Sequence, residues 1–239
     1  MKKTTRGPLV RGLFCAVLLL AGGGPLMAAN PPTDFQYGLN LARDGVVIKK
    51  YLGKTPEVVI PGMIDGFAVT EIETGAFKHT DVEIVSVVIP EWVFSINEEA
   101  FAGQGKLKQV TFPRNLRVIR GSAFYNCDQL AGLVIPDGVW SIGSLAFSNC
   151  TALTTVTIPG SVTSIGDRAF SGCTALATVR ISEGVTSIGD RAFSNCTALT
   201  TVTIPGSVTS IGDHAFSGCT RLSLAVRKQI QDCGYTGEF

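Results

Sequence analysis

LTTVTIPGSVTSIGDRAFSGC, residues 153–173, is a unit that the chain copies along most of its length. Its Ala169-Phe170 pair recurs at 23-residue intervals: Phe101, Phe124, Phe147, Phe170, Phe193 and Phe216 each follow an alanine. The same period carries prolines at 90, 113, 136, 159 and 205, isoleucines at 96, 119, 142, 165, 188 and 211, and cysteines at 127, 150, 173, 196 and 219. A fixed period of that length marks a solenoid, in which each unit contacts only its neighbours, rather than a compact enzyme domain.

Inside the unit, Val156 and Ile158 alternate among β-branched residues and predict a short strand closed by Pro159. Val162 to Ile165 reads as a second extended piece. Gly166 permits a turn, and Asp167 is placed to cap a short helical turn carrying Ala169 and Phe170. One coil buries too few large side chains to offset the entropy of ordering its backbone, so stability has to accumulate by stacking.

The pattern L-x-x-V-x-I-P-x-x-V-x-x-I-G-x-x-A-F-x-x-C, as it stands at Leu153 to Cys173, resembles the BspA-like (Treponema pallidum type) leucine-rich repeats. The resemblance covers about residues 59–221. It implies a repeat solenoid, a right-handed leucine-rich-repeat coil of about seven turns with short parallel strands and short helical turns. It also implies the family's usual role, adhesion or surface recognition, with matrix proteins, host cells or other bacteria as partners. Because the shared positions are core residues, the resemblance assigns no binding residue.

The flanks read as processing and capping segments. Residues 1–29 combine a basic start (Lys2, Lys3, Arg6, Arg11), an apolar run from Leu13 to Ala21 and a small-residue exit at Met27-Ala28-Ala29, the pattern of a cleaved signal peptide. That run is too short to span a bilayer, and no later segment is long enough to do so. Residues 30–58 predict an N-terminal hairpin cap, since Phe35 to Leu41 and Val46 to Tyr51 flank Arg43-Asp44-Gly45. The first coil is longer than the rest, with 29 residues from Pro61 to Pro90. In residues 222–239, Leu222, Ala225, Val226, Ile230 and Cys233 fall at helical spacing between Ser223 as N-cap and Gly234 as stop, which predicts a C-terminal cap helix and tail. The expected protein is exported: secreted, cell-surface or periplasmic.

The remaining chemistry is sparse. Five cysteines share one place in the repeat, so they should stack as a column roughly 4.8 Å apart. Parallel side chains do not aim their sulfurs at one another, so the column reads as buried free thiols rather than disulfides or a metal cage. The two histidines, His79 and His214, should lie roughly 30 Å apart if each coil advances by one strand spacing, too far to share a site. The repeated serines and threonines lack a basic partner. No catalytic residue, metal or cofactor follows, and a formal net charge of +1 with no visible basic stripe points away from nucleic acid.

The variable positions carry the functional expectation. The residue after the second-strand Val/Leu is Phe94, Arg117, Trp140, Thr163, Thr186 and Thr209 in successive coils, and Trp92 and Tyr125 add to the N-terminal half. Trp, Tyr and Arg dominate binding hot spots, so this column is a candidate surface for a protein or glycan. The alternative is that the rings pack over loops or against the cap, which would favour a structural or assembly part of the envelope with no dedicated ligand. A second candidate is the first-strand column Val88, Thr111, Val134, Thr157, Arg180 and Thr203, although threonine is also simply a good exposed strand former. Residues 151–173 and 197–219 differ only at Arg168 versus His214, a uniformity that implies recent copying and leaves little room for a unique site there.

Overall fold

The structure, a computed structural model, describes residues 27–239. The segment read as a signal peptide lies outside them except for Met27 to Ala29. Each coil sets its second strand beside that of the next, so Ser95–Ile96, Val118–Ile119, Ser141–Ile142, Ser164–Ile165, Ser187–Ile188 and Ser210–Ile211 form one parallel ladder. The result is a parallel β-solenoid of about seven turns with a C-terminal helix. At the N-terminal end the ladder continues through Phe67–Ile72 to Val46–Tyr51, which pairs antiparallel with Phe35–Leu39 in the hairpin that the Asp-Gly step predicts. The extra residues of the long first coil form a small arm, in which Met63–Ile64 folds back on Ala68 and Phe67.

The repeated phenylalanines build a spine. Phe77, Phe101, Phe124, Phe147, Phe170, Phe193 and Phe216 are fully buried and stack ring on ring, with centroids 4.6–5.5 Å apart. Both caps join it: Tyr51 stacks on Phe77 at 5.5 Å, and Tyr235 closes the other end edge-on to Phe216 at 5.7 Å. Helix α1 (Leu224–Asp232) starts where the sequence places it, with the Ser223 hydroxyl accepting from Val226 N–H, and it stops before Gly234 at φ 94°.

The third side of each coil is a run of tight turns, which corrects the helical turn expected around Ala169 and Phe170. From Glu99 onward two left-handed residues in each coil interrupt any helix, Arg168 (φ 54°) and Gly172 (φ 74°) in one coil, Arg191 (φ 52°) and Asn195 (φ 58°) in the next. The first of each pair is held by the neighbouring coil, since Arg168 N–H donates to Asp190 O and Leu145 N–H to Asp167 O, both at 2.8 Å. Nor does Asp167 cap its own turn. Its Oδ1 accepts from Asp190 N–H at 2.9 Å, and Asp190 repeats the contact with Asp213, so the aspartates tie coil to coil. The coils approach closely at the Ile-Gly step, where a Cβ on Gly166 would sit 2.5 Å from the carbonyl carbon of Gly143.

The five cysteines of the column are free and buried. Each thiol donates to the carbonyl of a phenylalanine 26 residues earlier, Cys150 to Phe124 and Cys173 to Phe147 among them, at 3.2–3.3 Å. One coil before Cys127 the same place is held by Gln104, whose Nε2 donates to Phe77 O at 2.6 Å. The position calls for a hydrogen-bond donor more than for sulfur. Burial pushes the thiols of Cys127, Cys173 and Cys219 up to about 12. A thiol–disulfide exchange reagent is therefore expected to modify Cys233, which is half-buried, while the five column thiols react only on unfolding. Rapid modification of the column in the native protein would contradict this packing.

The first strands form two sheets, which corrects the single continuous column expected from Val88 to Thr203. Glu57–Val59, Ser86–Val88 and Gln109–Thr111 pair in one, Thr155–Ile158, Thr178–Ile181 and Thr201–Thr203 in the other. Between them a bridge joins Gln109 to Gly132, and Val134 belongs to neither sheet. Two departures from the repeat account for the break. Phe112 stands where isoleucine is found at 89, 135, 158, 181 and 204, and its ring turns edge-on to Phe124 at 5.6 Å. Gly132 stands where Gln109, Thr155, Thr178 and Thr201 form strand, and glycine is a poor strand former.

Candidate functional site

Each residue of the second-strand column comes just before a ladder pair, and its side chain points outward, opposite to the buried Val or Leu that precedes it. The backbone ties the column together: Phe94 N–H donates to Thr70 O, Arg117 N–H to Phe94 O and Trp140 N–H to Arg117 O, at 2.9–3.0 Å. Phe94, Arg117 and Trp140 therefore occupy three successive coils side by side. Phe94 is 41% exposed and Trp140 53%, and Trp92, in the proline turn beside Phe94, is 60% exposed. The rings are not folded into the core or against a cap.

Arg117 lies lower than its neighbours. Its Nη1 donates to Arg114 O and Leu116 O, and the guanidinium lies over Gly138, where any Cβ would collide with it. It forms a half-buried floor between two exposed rings. Tyr125 is half-buried and belongs to the turn side of its coil, with Gly103 N–H donating to its carbonyl, so the structure does not bring it to the column. Thr157, Arg180 and Thr203 are exposed and register with one another across the C-terminal first-strand sheet.

Three features of this surface go beyond the positions singled out from the repeat. Met63 (56% exposed) and Phe67 (37%) present further apolar surface on the arm of the first coil, one coil before the proline turn that carries Trp92. Across the coils, the exposed large apolar side chains all fall at or before Trp140, and beyond it only Leu224 of helix α1 joins them. The third feature is electrostatic and corrects the expectation of no basic stripe. Residues 100–127 contain Lys106, Lys108, Arg114, Arg117 and Arg120 and no acidic residue, so a near-neutral chain carries one basic coil. Arg120 pairs with Glu98 at 3.7 Å; among the described residues Lys106, Lys108 and Arg114 form no ion pair.

Where the first-strand sheet breaks, an open cleft of about 860 Å³ runs between Lys108–Arg114 and Gly132–Gly138. It adjoins the column around the corner that Arg114 and Arg117 share. No helix among the described residues is long and apolar enough to cross a membrane.

The BspA type leucine rich repeat region matches residues 70–159 and 141–235, in six copies. A leucine rich repeat protein of T. pallidum of known structure is 40% identical, superimposes with a TM-score of 0.84, and aligns over 89% of this chain and 99% of its own. A leucine rich cell surface protein of Faecalibacterium prausnitzii is 36% identical with a TM-score of 0.71, over 85% of this chain and 55% of its own. A leucine-rich repeat protein of Bacteroides ovatus is 25% identical with a TM-score of 0.60, over 77% of this chain and 55% of its own. No curated protein matches the chain.

Proposed function

The chain belongs to the BspA-type leucine rich repeat family, and from that premise we propose that it is an exported, non-enzymatic recognition protein, binding a partner on a cell surface or matrix through the N-terminal half of its solenoid. One observation carries the reading: Trp92, Phe94 and Trp140 stand exposed within three successive coils, whereas the later coils present threonine at the column position. Exposing three large rings keeps apolar surface in water, a cost that a partner surface removes. The N-terminal basic and apolar run supports export, and the description of the F. prausnitzii relative as a cell surface protein agrees with it. The repeat commits most of its apolar residues to the spine and core, and the exposed remainder suits contact rather than acid–base or nucleophilic chemistry.

The test is binding of the purified protein, and of a Phe94→Ala/Trp140→Ala variant, to an array of matrix proteins, glycans and bacterial surface extracts. Hot-spot rings are worth about 2 kcal/mol or more each, so the double variant should bind about 1,000-fold more weakly while its circular dichroism is unchanged. A second reading, a structural or assembly part of the envelope without its own ligand, draws on the near-identity of residues 151–173 and 197–219. Absence of saturable binding by the intact protein would favour it.

A further inference from the structure

We propose that the break between the two first-strand sheets is a docking groove for an extended segment of a partner protein, with a short apolar centre flanked by carboxylates. The proposal shares the recognition reading but rests on residues outside the aromatic column.

The backbone supplies the first argument. Ile60 N–H donates to Val88 O at 3.1 Å and Ile89 N–H to Thr111 O at 3.0 Å, tying each first strand to the next. Among the described residues the equivalent links, Phe112 to Val134 and Ile135 to Thr157, are not made. Main-chain groups that are paired elsewhere in the sheet are therefore left without those partners beside the cleft, and an extended peptide offers complementary donors and acceptors at the strand repeat.

The side chains supply the second. Val134 is 82% exposed and Phe112 beside it is half-buried, so the middle of the cleft is apolar. Lys108 and Arg114 mark the two ends of one wall and form no ion pair among the described residues. The chain between them spans at most roughly 20 Å, the reach of a peptide of about six residues. Carboxylates at both ends of such a segment would meet fixed positive charge. Asp137, on the opposite wall near Arg114, makes one end mixed in sign and disfavours a continuous polyanion such as nucleic acid. A sulfated polysaccharide would satisfy the charges but leave the main-chain groups and Val134 without partners.

Fluorescence anisotropy with fluorescein-labelled Asp-Glu-Val-Ile-Val-Glu-Asp tests this on the intact protein. Saturable binding is expected, weakened about tenfold or more by N-methylation of alternate peptide amides and again by Lys108→Glu/Arg114→Glu. The decisive variant repairs the repeat. Phe112→Ile with Gly132→Thr restores the residues that form continuous sheet elsewhere, and a side chain at 132 meets nothing within 4 Å. This variant should be at least as stable as the parent yet lose the peptide, while Phe94→Ala/Trp140→Ala keeps it. Absence of saturable binding up to about 1 mM, equal binding of the N-methylated peptide, or retention by the repaired chain would each overturn the proposal. Heparin binding that the peptide does not compete with and that the charge reversal abolishes would overturn it too, assigning the groove to anionic glycan instead.

Discussion

Phe147→Ala is expected to lower the free energy of unfolding by about 3–5 kcal/mol and to split one unfolding transition into two. The ring is fully buried and lies between Phe124 and Phe170, 5.3 Å from each. The gap left by alanine cannot close, because the backbone on both sides is pinned: Phe124 N–H donates to Ala146 O and Phe147 N–H to Ala169 O, both at 2.8 Å. A cavity that cannot collapse costs both transfer energy and lost dispersion contacts. In a solenoid that cost falls at one interface between coils, so the blocks on either side should uncouple and melt separately. Urea titration followed by circular dichroism measures it, and Phe147→Leu should recover more than half of the loss. A loss below about 1 kcal/mol would show that the ladder, not the spine, holds the coils together.

The spine is legible in the sequence alone because it repeats: a ring every 23 residues can stack only if the coils do. The caps are legible through local chemistry, the Asp-Gly step inside the loop at residues 40–45 and the Ser223 cap. What stays hidden lies between coils. Nothing in the unit reveals that Asp167 reaches forward to Asp190 rather than to its own turn, since both partners are backbone N–H groups. The left-handed second position does leave a signal, the restriction of one column to Gly103, Asn126, Asn149, Gly172, Asn195 and Gly218, the residue types that tolerate positive φ. The sheet break leaves a fainter one, two residues of the wrong shape at 112 and 132, and its consequence depends on how two neighbouring coils share the misfit. The basic coil is masked by averaging, because a chain total of +1 cancels five local charges against acids elsewhere.

Alkali should unfold this protein steeply above pH 9, through the cysteine column. Burial holds the Cys127, Cys173 and Cys219 thiols at about 12 and raises Cys150 and Cys196 well above the ordinary thiol value. In the unfolded chain a thiol loses its proton near about pH 8.5, so above that pH the folded state binds more protons than the unfolded one. The stability contributed by the neutral thiols is complete below about pH 8.5 and is lost as pH rises towards 12. Each thiol contributes a slope of about 1.4 kcal/mol per pH unit, and five acting together about 7, enough to exhaust the stability of an ordinary domain within one to two pH units. The comparison that isolates the column is Cys150→Ala/Cys173→Ala. Its stability at pH 7 should be lower, because two buried side chains are trimmed, but its slope between about pH 9 and 10.5 should be shallower by about 2.7 kcal/mol per pH unit. Equal slopes in the two proteins would mean that the thiols ionise no later in the fold than in the open chain, against both their burial and the hydrogen bonds that their protons donate to the phenylalanine carbonyls.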